Sequence, residues 1–388
     1  MYGGVSLRTL AIMPDSILLI AQSARMLAVS ARRGGWRPLV LDRFGDLDTR
    51  KVAHAWRKIP GDQTELNGQA LIKLAQALIR QYLPAGWVYG SGLESLPEVV
   101  EEISQLCPLL GNGPEVLHLC SDPELFFAAL DSLQIPYPDI TWRQPKDLTG
   151  WLAKQGGGCG GVKVALTPAA LGNGKVYFQK RLPGAVFTYA FLADKRRLVW
   201  GAFNRLYQAD YNAQQPFGYA GAINRAALSP ETTKLVKEYA WRMIEAWHLR
   251  GMHGLDFMVT ESGPAILELN PRPGAVLGLW DDDWPDGLLA AHVQACQGEC
   301  RVTPEPGPAR GLQVVFSQEP VAIPKDMPWP SWCVDLPDPS DSVGAGEPVC
   351  SVTAQGNSIA VVERRLRWRK HWLERQLAAA PGLGIKVS

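Results

Sequence analysis

Three scarcities narrow what this chain can be. Seven cysteines in 388 residues, at 107, 120, 159, 296, 300, 333 and 350, form an odd and scattered set. Such a set gives no disulfide framework and fits a reducing cytoplasm. Cys296 and Cys300 are four apart near His292, but no second ligand pair follows at zinc-site spacing, so small buried thiols on a helix are expected. Charge of one sign is also missing: 39 Lys and Arg against 38 Asp and Glu leave a net charge of +1. No whole-chain attraction to nucleic acid or to anionic membranes follows from that, and charged partners must be met locally. Finally, there is no apolar run of about eighteen residues, and Pro14 and Asp15 interrupt what a signal-peptide core near Ile17 to Ala21 would require. The expectation is a soluble cytoplasmic protein with no nucleic-acid or membrane partner, built from two or three domains.

Two common phosphate-binding signatures are lacking as well. Residues 16–42 read as strand, helix and strand: "SILLI" is an apolar run suited to a buried parallel strand, "QSARMLAVSARRGG" has helical spacing, and "PLVLD" is a second strand. The turn between them has no G-x-G-x-x-G, although Asp42 closes the second strand. A helix over 64–82, a strand over 88–94 and a helix over 95–106 complete an α/β unit by about residue 120. Ligands bind at the carboxyl ends of parallel strands, which makes Ser23, Arg25, Ser91 and Glu94 candidates for a small-molecule site. The glycine-rich stretch "WLAKQGGGCGGVKV" does not end in G-K-[ST] and is no P-loop.

What is present lies mostly between 134 and 300. "QIPYPDI" is extended because of its two prolines; strands are expected over 162–166, 175–180, 185–193, 198–203, 255–260 and 265–270, with a helix over 230–249. "TPEPGPARG" marks a boundary. After it come short strands and a basic helical stretch, "ERRLRWRKHWLERQL", with a solvated basic face and Leu366, Trp372 and Leu373 turned inward.

Three stretches carry chemistry. Lys154 precedes Gly157, Gly158, Gly160 and Gly161, and glycines let backbone N–H groups approach an anion beside the lysine charge. In "GLDFMV" a carboxylate, Asp256, sits in an otherwise apolar strand, where it is costly unless paired or bound to a cation. In "ILELNPRPG", Glu268 and Asn270 project from one face while Ile266, Leu267 and Leu269 are expected to bury the rest. "TESGPA" reads as a hairpin turn that sets Asp256 beside Glu268 and Asn270. Such oxygen ligands suit magnesium shared with nucleotide phosphates, with Arg272 just beyond them for developing negative charge.

Lys154 with its glycine loop, "VYFQKRLPGAVFTYAFLAD", Asp256 and "LELNPRPG" occur in the order seen in the ATP-grasp superfamily, which the chain resembles over roughly 120–300. The branch it is most similar to is that of the predicted carboligases. The resemblance implies an α/β architecture: a Rossmann-like domain over 1–120, an ATP-grasp domain over 121–305, and a β-rich region with a terminal helix over 306–388. It implies ATP held by Lys154 and the loop Gly156 to Gly161, with adenine at Gln179, Lys180 and Leu182 and ribose near Thr188. It further implies Mg2+ or Mn2+ on Asp256, Glu268 and Asn270, and Arg272 stabilising an acyl-phosphate step. The reaction implied is activation of a small-molecule carboxylate and its transfer to an amine or other nucleophile, in some members linked to tetrahydromethanopterin biosynthesis. The acceptor would lie near Ser23, Arg25, Ser91 and Glu94, with Arg205 and "FGYAGA" closing over it. A non-catalytic nucleotide-binding module and a carboxylase of the biotin-dependent kind are the alternatives, and a homodimer is the default assembly. The chain departs from its relatives at Pro123, where many have a lysine, and at Thr188, where many have a glutamate.

Overall fold

The computed structural model describes residues 15–61, 66–158, 160–172, 174–209, 216–300, 303–339 and 341–379. Residues 64 and 65 of the expected 64–82 helix and Cys159 of the glycine stretch lie outside them, as do the first residues of the expected 1–120 domain and the last of the 306–388 region.

The first unit alternates strands and helices: β1 (Ser16–Ala21), α1 (Arg25–Arg33), β2 (Arg37–Asp42), α2 (Leu47–Val52), β3 (Ala55–Lys58), α3 (Gly68–Tyr82), β4 (Gly86–Tyr89) and α4 (Pro97–Ser104). Its four strands form a parallel sheet in the order β3-β2-β1-β4. Every residue of β1 is buried. Ile17 and Leu19 point into one core cluster and Leu18 and Ile20 into another, as an apolar run covered on both faces requires. β4 ends at Tyr89, earlier than the expected strand over 88–94, so Ser91 and Glu94 stand on the loop that follows it.

Helices α5 (Pro114–Ser121) and α6 (Pro123–Ser132) lead out of this unit. Asp122 caps α6 by accepting from the backbone N–H groups of Glu124 and Leu125, and Pro123 occupies its first turn, where no N–H is needed. A small antiparallel sheet follows, made of β5 (Ile140–Thr141), β6 (Trp151–Gln155), β7 (Val164–Ala165) and β8 (Val176–Lys180) in the order β5-β8-β6-β7.

The chain then builds β9 (Val186–Asp194), β10 (Leu198–Gln208), β11 (Tyr219–Asn224), α7 (Pro230–Trp247), β12 (Arg250–Thr260), β13 (Gly263–Asn270) and α8 (Leu288–Gln297). The tail adds β14 (Ala309–Phe316), β15 (Val321–Ala322), β16 (Cys333–Val334), β17 (Ser342–Val343), β18 (Pro348–Gly356) and α9 (Ile359–Ala379). One eight-stranded sheet runs β13-β12-β9-β10-β11-β14-β18-β16. The strands after residue 306 therefore extend the central sheet, because β14 pairs with β11. Val236, Ala240, Met243 and Ile244 of α7 pack under this sheet against Phe191, Leu255, Phe257, Ile266 and Leu269. On α9, Leu366 and Leu373 are buried, while Trp368 is exposed. Two of its basic residues, Arg365 and Arg369, donate to the backbone carbonyls of Gln355 and Thr353 beside the helix. Among the described residues no helix is long and apolar enough to cross a membrane.

Candidate active site

The site grows from the β12–β13 hairpin, in which Asp256 lies opposite Glu268 and Gly254 opposite Asn270. The ladder slips at this point: Asp256 faces Glu268 but Phe257 faces Ile266, so Leu267 is one residue too many. Such a bulge re-aims side chains. Ile266 and Leu269 stay in the core, whereas Leu267 lines the cavity beside Glu268. The sequence expectation that Leu267 is buried with them is corrected by this bulge.

A continuous polar chain crosses the hairpin. The Asp256 carboxylate is hydrogen-bonded by Thr188 and pressed against Glu268. Asn270 Nδ2 donates to Glu268 Oε1 at 3.2 Å, and Arg272 Nη2 donates to Asn270 Oδ1 at 2.9 Å. Arg272 Nε donates to Glu94 Oε1 at 2.8 Å, a pair with side chains only 7% and 8% exposed. Glu94 also accepts from the N–H of Gly92 at 2.7 Å, which fixes its loop. Burial, and after it the like charge of Glu268, hold the Asp256 carboxyl well above the usual carboxylate range. A divalent cation between these two carboxylates would remove both causes at once, and hard oxygen donors are what magnesium or manganese takes.

Opposite the hairpin, β6 presents Lys154, 9% exposed, whose Nζ donates to Gln179 Oε1 at 3.1 Å. Burial pulls its pKa down, but Tyr177, Glu268 and Asp256 outweigh that and leave it above the ordinary lysine value. Gln179 is 2% exposed, and among the described residues its Nε2 has no hydrogen-bond partner. The glycine loop is tied down on two sides: Gly157 N–H donates to Ser121 O at 3.0 Å and Tyr219 N–H to Gly160 O at 2.9 Å. At Gly161 φ is +77°, and a Cβ there would lie 2.0 Å from Phe217 O, so only glycine fits. Pro123, the departure noted above, lies against Gly156 under this loop.

These groups share one cavity of 1370 Å³, roomier than the few hundred to about 1,000 Å³ that one small molecule usually occupies. Lys154, Gly160, Gly161, Gln179, Lys180, Leu182, Thr188, Asp256, Glu268, Asn270 and Arg272 all line it. Gly157 and Gly158 border a smaller adjoining pocket with Glu94. Ser23, Arg25 and Ser91 line the main cavity from the carboxyl ends of β1 and β4. Arg25 is ion-paired to Asp335 at 2.5 Å and to Asp48 at 3.5 Å. Arg205 stands apart: it is paired with Glu363 of α9 and is not on the cavity wall. His292, buried on α8, accepts at Nδ1 from Met252 N–H at 2.8 Å, and its Nε2 lies 2.8 Å from Leu110 O. No group of three or more His, Cys, Asp or Glu suited to a metal occurs among the described residues. Tyr219 of the expected "FGYAGA" stretch lines the cavity, and so does Asp46, which sequence reasoning missed because it is a lone polar residue with no motif around it.

Residues 120–276 match the family model described as an ATP-grasp domain. That segment is similar to ATP-grasp domains. Over 120 residues the chain is 22% identical to an uncharacterized protein of Methanocaldococcus jannaschii, covering 31% of this chain and 30% of that protein. The carboxyaminoimidazole ribonucleotide synthase of Aspergillus clavatus, solved with ATP, is 13% identical with a TM-score of 0.69, covering 93% of this chain and 99% of that one. The biotin carboxylase domain of the 2-oxoglutarate carboxylase of Hydrogenobacter thermophilus, solved with MgADP, ADP and bicarbonate, is 11% identical with a TM-score of 0.70, covering 92% and 89%. Together these give the ATP-grasp fold, with the α/β unit before the grasp and the strands after it included in the likeness.

Proposed function

We propose that this chain is an ATP- and magnesium-dependent ligase that activates a carboxylate as an acyl phosphate and joins it to an amine or another nucleophile. The observation that carries the reading is the Asp256 and Glu268 pair, two carboxylates crowded on a cavity wall that faces a buried lysine and a glycine loop. Lys154 and the N–H groups of the loop bind the phosphates. Gln179, through its unpartnered Nε2, and the 180–184 segment hold the adenine. Asp256, Glu268 and Asn270 would hold the magnesium, which supplies charge neutralisation of the phosphates. Arg272, oriented by Glu94 and Asn270, offers its guanidinium to the phosphoryl oxygens. The acceptor carboxylate oxygen attacks the γ-phosphorus and ADP departs; the nucleophile then attacks the acyl carbon and phosphate departs. Positioning and charge do most of this work. A place in tetrahydromethanopterin-linked cofactor biosynthesis rests on the sequence resemblance alone.

The test is ATP turnover against a panel of carboxylates and amines, separating ADP plus phosphate from AMP plus pyrophosphate. ADP and phosphate are expected, only when a carboxylate is supplied. AMP as the product overturns the reading.

A further inference from the structure

Two acids distant in sequence line the cavity together: Asp46 from the first unit, and Asp335 from the turn after β16, where it holds a left-handed φ of 57°. Asp42 and Asp48 of the first unit lie close enough to act on Asp46. Three of the four are satisfied. Asp42 accepts from Trp56 Nε1 at 2.7 Å, from Gly45 N–H at 3.0 Å and from Ala24 N–H at 3.4 Å. Asp48 accepts from the N–H groups of Asp335 at 2.9 Å and Leu336 at 3.0 Å. Asp335 accepts from Arg25 Nε at 2.5 Å.

Asp46 is the exception. It is 9% exposed and lines the cavity, and among the described residues its Oδ2 has no hydrogen-bond partner. Burial pushes its carboxyl up to about 8; Asp335, Asp42 and Asp48 add to that, and Arg25 alone opposes it. The neighbouring arginines are otherwise engaged, Arg25 with Asp335 and Arg50 with Asp338 at 2.6 Å, while Lys58 lines the same cavity. Arg43 lies over the ring of Phe44 at 5.0 Å. A buried carboxylate among like charges calls for a cation. The ligase reading supplies an organic one, the ammonium of an amine substrate, and a cavity of 1370 Å³ leaves room for it beside a nucleotide.

Tyr219 connects this end to the other. It is half-buried on the cavity wall, its hydroxyl is shut off from solvent and has no partner among the described residues, and it feels the charges of Asp335 and Arg25 as well as that of Asp256. A molecule anchored at Asp46 therefore extends past Tyr219 toward the carboxylate pair.

We propose that Asp46, backed by Asp48 and by Asp335 on Arg25, is the receptor for an ammonium group of the ligase's amine substrate other than the nitrogen that attacks, so that the nucleophile class is a diamine. This rests on the ligase reading above and names its acceptor. The Asp46 oxygen receives the ammonium N–H, Arg25 keeps Asp335 in place, and Tyr219 supplies a hydroxyl midway along the substrate.

The test is calorimetry on the full chain with magnesium, using ADP, then 1,4-diaminobutane, with 1,4-butanediol and succinate as controls of similar length. The diamine is expected to bind at least about tenfold more tightly than the diol, and Asp46→Asn to weaken the diamine about tenfold or more while ADP binding is unchanged. Asp46→Asn should also melt no lower than the wild type, because it replaces a buried acid whose Oδ2 has no hydrogen-bond partner among the described residues. Undiminished diamine binding by Asp46→Asn, tighter binding of succinate, or a lowered melting point each overturns the assignment. If ADP fails to bind, the ligase reading itself falls; if ADP binds and the diamine does not, only this inference falls.

Discussion

Two arginine–carboxylate pairs, each with a buried arginine, join the first unit to later parts of the chain, and they differ in what surrounds them. Arg272 and Glu94 sit in a row where each neighbour passes a hydrogen bond to the next, through Asn270 to Glu268. Arg25 and Asp335 sit among surplus acids, and Asp46 is left over. A fully satisfied network fixes geometry, which is what a site for phosphoryl transfer needs. An unsatisfied one stores a demand for a ligand. The two arginines are equally buried, each 7% exposed, so it is the count of donors around the acids that separates a framework from a receptor.

The comparison can be broken most forcefully at Arg272. Replacing it with Leu leaves Glu94 buried without its cation, and a loss of roughly 3–5 kcal/mol is expected in urea unfolding; a loss under about 1 kcal/mol would mean that Glu94 has another partner. Next in size is Glu268→Gln, which should lower ADP release at least about a hundredfold, some 2.7 kcal/mol, with the melting temperature kept.

Acid sharpens the contrast between framework and receptor. Burial holds His253 down at about 3 and His292 at about 4, so both are neutral in the folded chain while unfolded histidines titrate near 6.5. Because each folded value is depressed, the unfolded chain binds more protons below pH 6.5 and stability falls as pH falls, down to the folded values. Between pH 7 and pH 5 each should contribute a loss of roughly 2 kcal/mol, readable as a falling melting temperature. A flat profile over that range would show that both are exposed to solvent protons in the fold. Smallest of all is Arg205→Ala. Its pair with Glu363 is part-exposed and off the cavity wall, so less than about 1 kcal/mol of stability and no change in ADP binding are expected.

Much of the hairpin was readable because its information is local. Glu268 and Asn270 share a strand face by simple alternation, and a short turn is enough to bring Asp256 opposite Glu268. The bulge at Leu267 was not readable, since the residue is as apolar as its neighbours and only the slipped ladder turns it outward. The expected strand ends at 203, whereas β10 runs to Gln208 and pairs Arg205 with Glu363 of α9. α2 and β3 escaped notice because six and four residues are too short to show a period. Asp46 and Asp335 lie almost three hundred positions apart, and no window along the sequence contains both.

That separation has a consequence for the order in which the protein is made. The first unit has its own sheet and core and can form as it leaves the ribosome. Arg25, however, then lacks its close partner, because Asp335 is 310 residues further on. Until the strands after residue 306 emerge and dock, the nascent chain holds an open cleft with an exposed arginine at its edge.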